Sequence, residues 1–136
     1  MKIWYGHGSE HSSNLVMIGR FKDSGDATEV NEIINMFAEQ VRADEQAGLI
    51  KIGEGADRFT DGMLKLLEKA KVYSIGPAEF EQFAYDVRIK VRNKELVITT
   101  DEIDVSAFLK VLIDKGARVE VYSAHVYPDT GEGRGR

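Results

Sequence analysis

The densest run of chemistry-bearing side chains is His7-Gly8-Ser9-Glu10-His11-Ser12-Ser13-Asn14. Its first five residues carry the spacing H-x-x-E-H, which on a helix turns two imidazoles and a carboxylate toward one metal ion. Here Gly6 and Gly8 flank the first histidine, and the run lies between two strand-like segments. The spacing therefore lacks the helix that would make it useful. The plainer reading is a polar connection whose serines and asparagine make local turn bonds. Backbone N–H groups beside Gly6 and Gly8 offer a middle reading, a small-anion loop. His125 would join such a site only if the fold carried it to His7 or His11, and strand parity places it with Val119 and Val121 on a buried side. His7, Glu10, His11, Asn14 and His125 are thus the ligand-binding candidates, and neither a metal nor a cofactor is expected.

Other routes to catalysis are thinner. The chain has no cysteine, which removes catalytic thiols, thiolate metal sites and disulfides. Serines are present without a G-x-S-x-G elbow. Asp57 and Asp61 could share a helix face as paired carboxylates, but acids at a helix start answer its dipole. An interaction role is therefore expected ahead of an enzymatic one.

Charge points the same way. Eighteen basic and 23 acidic side chains give a net charge of −5, which weighs against a dedicated nucleic-acid binder. The signs are also segregated along the chain. Residues 23–47 hold seven acids against Arg42, whereas residues 82–94 hold Arg88, Lys90, Arg92 and Lys94 against Asp86. Segregated charge makes a field that can orient a partner. Arg88, Lys90 and Arg92 on one strand face, and Glu32 and Glu39 on one helix back, are the partner-binding candidates. The basic stripe has a second meaning, since positive charge on an edge strand discourages edge-to-edge aggregation.

These side chains must be positioned by elements that the pattern announces. The 136 residues suit one compact α+β domain over residues 1–128, followed by a Gly/Arg tail over 129–136. Lys2 to Tyr5 reads as an extra N-terminal strand and Leu15 to Phe21 as a richer one. Val30, Ile34, Phe37 and Val41 recur on one helical face behind the turn chemistry of Asp23 to Asp26. A second helix carries Phe59, Met63, Leu66, Leu67 and Ala70 on its stripe. Lys71 to Glu81 is poorly specified, with Pro77 able to open a short helix. Phe83 to Arg92 alternates as a half-buried strand and turns at Asn93-Lys94 into Glu95 to Thr100. In that hairpin Arg92 faces Glu95, Lys90 faces Val97 and Arg88 faces Thr99, with apolar partners on the other side. Asp101 should cap a third helix that stops at Gly116, before a last strand from Ala117 to Tyr127.

Strand, helix, inserted helix, strand, strand, helix, strand is the split βαβ, ferredoxin-like order with one inserted helix. It predicts an antiparallel sheet with helices on one face, and with the Leu15 and Glu95 strands in the centre. The other face, carrying Trp4 or Tyr5, Val97 and Tyr122, is left for solvent or a partner. RNA-binding sheets of this order carry aromatics on the central strands, and neither LVMIGRF nor ELVITT has that signature. No apolar run is long enough to cross a membrane and no charged-then-apolar leader is read, so a cytoplasmic setting is expected. The expected function is a protein–protein interaction or oligomerisation subunit, whose partner is a second copy or another protein. The alternative is a small enzyme or ligand-binding protein that uses the His7–Asn14 loop.

Overall fold

The computed structural model describes residues 15–101 and 105–123. Its elements are β1 (Leu15–Arg20), α1 (Ser24–Gln46), α2 (Asp61–Ala70), α3 (Pro77–Phe80), β2 (Val87–Arg92), β3 (Glu95–Thr100), α4 (Ser106–Asp114) and β4 (Arg118–Ser123), with a 3-10 turn over Glu81–Ala84. The described fold is α+β, an open antiparallel sheet of four strands in the order β2-β3-β1-β4. The expected N-terminal strand and the 129–136 tail lie outside the described residues.

Alternation decides which side of the sheet each residue takes. Leu15, Met17, Leu96 and Ile98 are all 2% exposed or less, and they pack against the helices. Val30, Ile34, Phe37 and Val41 give α1 its buried stripe, and Phe108 and Leu112 do the same for α4. The hairpin pairs as its pattern requires, with Arg92 opposite Glu95, Lys90 opposite Val97 and Arg88 opposite Thr99. Asn93 takes a φ of 52° in the turn, a conformation that asparagine tolerates. Helix α1 stops in a Schellman arrangement: Leu49 N–H reaches the Asp44 carbonyl, Gly48 N–H reaches Glu45, and Gly48 has a φ of 77°.

Three expectations need correction. First, the alternation from Phe83 is not strand throughout, because β2 begins only at Val87. Pro77 opens α3, the 3-10 turn continues it, and Phe83 enters the core as part of that turn. Its ring centroid lies 5.1 Å from those of Phe37 and Phe108 and 5.5 Å from that of Phe80. Second, the chain between α1 and β2 holds α2, α3 and the 3-10 turn rather than one inserted helix. Third, the N-cap of α4 is Val105, without a side-chain cap, and Asp101 is exposed. Leu66, Ile89 and Val121 pack against the core from half-buried positions. For Ile89 and Val121 the reason is position, since β2 and β4 are the edges of the sheet.

Candidate interaction surface

The sheet face away from the helices is built in three rows by strand register. Arg88, Thr99, Val16 and Tyr122 form the first row, and Lys90, Val97, Ile18 and Glu120 the second. Arg92, Glu95, Arg20 and Arg118 form the third. Val16, Ile18, Val97 and Tyr122 make a half-buried apolar centre, and no described element packs over it. A shallow groove of about 630 Å³ runs across this face, between the β2 arginines and Tyr122.

The electrostatics of the face turn on Arg20. Its Nε donates to Glu95 Oε2 at 2.8 Å and its Nη1 lies 2.8 Å from Glu120 Oε1, tying three strands together. Hydrogen bonds to Glu95 and then to Glu120 raise the Arg20 pKa further above its ordinary value. Both carboxylates in the three rows are thereby engaged. Arg88, Lys90 and Arg92 are exposed and, among the described residues, belong to no ion pair. The stripe thus presents uncompensated positive charge beside an apolar surface.

Glu32 and Glu39 are exposed on the outer side of α1, which covers the opposite face of the sheet. Glu39 also borders a polar groove of about 560 Å³ between α1 and β2, with Asn31, Asn35, Arg42, Tyr85 and Asp86. The structure therefore keeps the two candidate charge groups apart. His7, Glu10, His11, Asn14 and His125 lie outside the described residues. Among the described residues, no group of three or more His, Cys, Asp or Glu is placed to hold a metal ion.

The buried polar side chains serve the scaffold. Asp44, 4% exposed, accepts from Gln40 Nε2 at 2.8 Å and from Thr60 Oγ1 at 2.6 Å, which joins α1 to the cap of α2. Thr60 Oγ1 in turn accepts from Met63 N–H. Gln82, 3% exposed, accepts from Ala107 N–H at 2.8 Å and so caps α4 from a distant segment. Beside it, the Glu79 carboxylate accepts from Gly76 N–H at 2.9 Å, Ser106 Oγ at 2.6 Å and Lys110 Nζ at 2.7 Å. Burial pushes the Glu79 pKa up, but the bonds from Gly76, Lys110 and Ser106 outweigh it and leave it below the ordinary carboxylate value.

Sequence reasoning missed Arg20, Glu79 and Gln82. A signal existed for two of them: Gly76-Pro77-Ala78-Glu79 has the spacing of a helix start with an acid at its third position, and Arg20 pairs with Glu95 once the register is set. Gln82 carried no local signal, because its partner lies 25 residues away.

The sequence pattern of DUF6375, a family of unknown function, matches residues 1–134. The chain belongs to that family. No curated protein and no solved structure matches it. Among the described residues, no helix is long and apolar enough to cross a membrane.

Proposed function

We propose that the chain is a non-enzymatic, cytoplasmic protein–protein interaction subunit that docks through the sheet face opposite its helices. One observation carries this reading: Arg88, Lys90 and Arg92 stand exposed and unpaired, among the described residues, along an apolar sheet centre. An apolar patch rimmed by charge is the usual anatomy of a contact surface. Desolvating the centre would supply affinity, and the stripe would supply orientation and encounter rate. The buried polar side chains support the reading as well, since Asp44, Gln82 and Thr100 are all hydrogen-bonded within the fold.

The sheet itself is read as a ferredoxin-like unit. Central β1 and β3, edge β2 and β4, and antiparallel pairing throughout support that reading. The helical pieces between α1 and β2 would then be an elaboration of the crossover that leads into the hairpin.

The test is the native mass of the protein, measured on purified material and in extracts of its host. Arg88→Gln with Arg92→Gln is expected to shift the protein from an assembly toward the monomer in at least one setting, without a change in circular dichroism. A wild-type monomer in both settings, or an assembly indifferent to the double substitution, would sink the reading.

A further inference from the structure

Among the described residues, two groups of charge that belong to no ion pair stand on opposite sides of the sheet: the β2 stripe, and Glu32 with Glu39 on α1. The acids of α1 cannot reach the β2 stripe of their own chain, because the sheet lies between them. Two copies could join through the stripe in three ways.

Edge pairing of β2 with β2 of a second copy would continue the sheet. In that arrangement the two stripes lie on the same face, so Arg88, Lys90 and Arg92 would meet their own counterparts side by side. Like charges placed directly across strands are destabilising, and a lysine- and arginine-bearing edge is how sheets avoid such pairing. Packing the two apolar faces together also brings like against like. Arg20 already engages Glu95 and Glu120, so among the described residues each face keeps Arg88, Lys90, Arg92 and Arg118 uncompensated.

The outer ridge of α1 fits better. Glu32 and Glu39 are exposed and seven residues apart, two helical turns or ~10.5 Å along the axis. Arg88 and Arg92 are four residues apart on a strand, ~13 Å. A helix laid along β2 could therefore engage both ends of the stripe at once. Among the described residues, neither acid belongs to an ion pair.

We infer that a second copy of this chain docks head-to-tail, the Glu32–Glu39 ridge of one protomer's α1 lying on the Arg88–Lys90–Arg92 stripe of the next. This inference rests on the interaction reading above and names the partner. The contact is heterologous: each protomer offers a different surface on each side, so the assembly grows into a ring or an open chain and does not stop at a symmetric pair. Exposed charge pairs are individually weak and screened by salt, so assembly belongs to high protein concentration and low ionic strength.

Light scattering and sedimentation across protein concentration, at 50 mM and 500 mM salt, test this directly. The wild-type chain should exceed dimer mass at low salt and return toward the monomer at high salt, with at least a tenfold weaker association. Arg88→Gln/Arg92→Gln and Glu32→Gln/Glu39→Gln should each remain monomeric when alone. Mixed in equal amounts, they should form a one-to-one dimer and nothing larger, because only one complementary contact survives in the mixture. A symmetric contact through the stripe would leave the mixture monomeric or form a dimer in the Glu32→Gln/Glu39→Gln variant alone, and either result overturns the inference. A wild-type protein that stays monomeric to millimolar concentration at low salt also overturns it. The broader interaction reading would survive that result if an assembly in host extract still depended on Arg88 and Arg92. It would fail with the inference if no such assembly existed.

Discussion

Gln82 and Ala107 are 25 residues apart in sequence and joined by a 2.8 Å hydrogen bond from the Ala107 backbone N–H to the Gln82 side-chain oxygen. This bond replaces a local cap. Helix α4 begins after Val105, which has no side chain able to accept from the first turn. The 3-10 turn therefore reaches across and satisfies a buried donor. Gln82→Leu keeps the approximate volume and removes the acceptor, leaving Ala107 N–H buried and unpaired. The expected cost is about 1–3 kcal/mol in urea unfolding, with an unchanged slope. A neutral result would mean that the donor finds another partner.

Glu79 gives the fold a pH dependence whose direction follows from its lowered pKa. A carboxyl whose folded pKa lies below its unfolded value stabilises the protein above the unfolded value, about 4.3 for glutamate. That stability is lost as pH falls through the folded value. Glu79→Gln removes the charge that Gly76, Ser106 and Lys110 share. The gap in melting temperature between wild type and Glu79→Gln should be widest at neutral pH and narrow progressively as pH falls below the unfolded value of about 4.3. A gap that stays constant to pH 3 would show that shape, and not charge, is what Glu79 supplies.

The helices and the hairpin were legible because each is fixed by local period and local turn chemistry. Val30, Ile34, Phe37 and Val41 announce the buried face of α1, and all four are 2% exposed or less. Asn93 and the opposed residues of β2 and β3 announce their register. Phe83 misled for a physical reason: alternation with Tyr85 and Val87 mimics a strand, while Pro77 had already committed the chain to helical turns. The cap of α4 was illegible because it depends on a partner brought in by the fold. For the site, the basic stripe and the acids of α1 were readable as exposed charge, since parity and helical phase fix their sides. The expected strand order put the last strand beside β1, but the register that brings Glu120 within reach of Arg20 is specified by no local pattern.

The aromatic cluster around Phe83 sets the next expectation. Phe37, Phe80, Phe83 and Phe108 are each 2% exposed or less, and neighbouring rings meet edge-on or tilted within 5.5 Å. Removing Phe83 opens a cavity between α1 and α4, so Phe83→Ala should cost about 3–5 kcal/mol. Ile89→Ala, on a half-buried edge position, should cost clearly less in the same unfolding assay. Equal losses would mean that the cluster collapses around the missing ring.

Gly62 sits in the first turn of α2 where a Cβ would collide with the side-chain amide of Gln40. That amide donates to the buried carboxylate of Asp44, so it cannot swing away without loss. Gly62→Ala should therefore destabilise the wild-type chain, despite a gain in helix propensity of about 1 kcal/mol. With Gln40→Ala already present, the clash and the bond are both gone, and the same substitution should stabilise. A double-mutant cycle reads this reversal of sign. If Gly62→Ala acts alike in both backgrounds, the close approach of α2 to α1 is not what fixes glycine at this position.

The face opposite the helices can be divided into residues that hold the sheet and residues that do not. Arg20 binds Glu95 and Glu120 across three strands, so Arg20→Gln should lower the melting temperature and leave two carboxylates without their shared cation. Arg88 and Arg92 bind no described acid, and both are exposed. Arg88→Gln with Arg92→Gln should change stability by no more than about 0.5 kcal/mol, a shift of roughly 2 °C for a chain of this size. Thermal melts of the two variants at equal salt make the comparison. A large loss in the double variant would mean that the stripe is part of the scaffold, and it could not then be offered to a second molecule. A loss confined to Arg20→Gln separates the charge that builds the face from the charge the face presents.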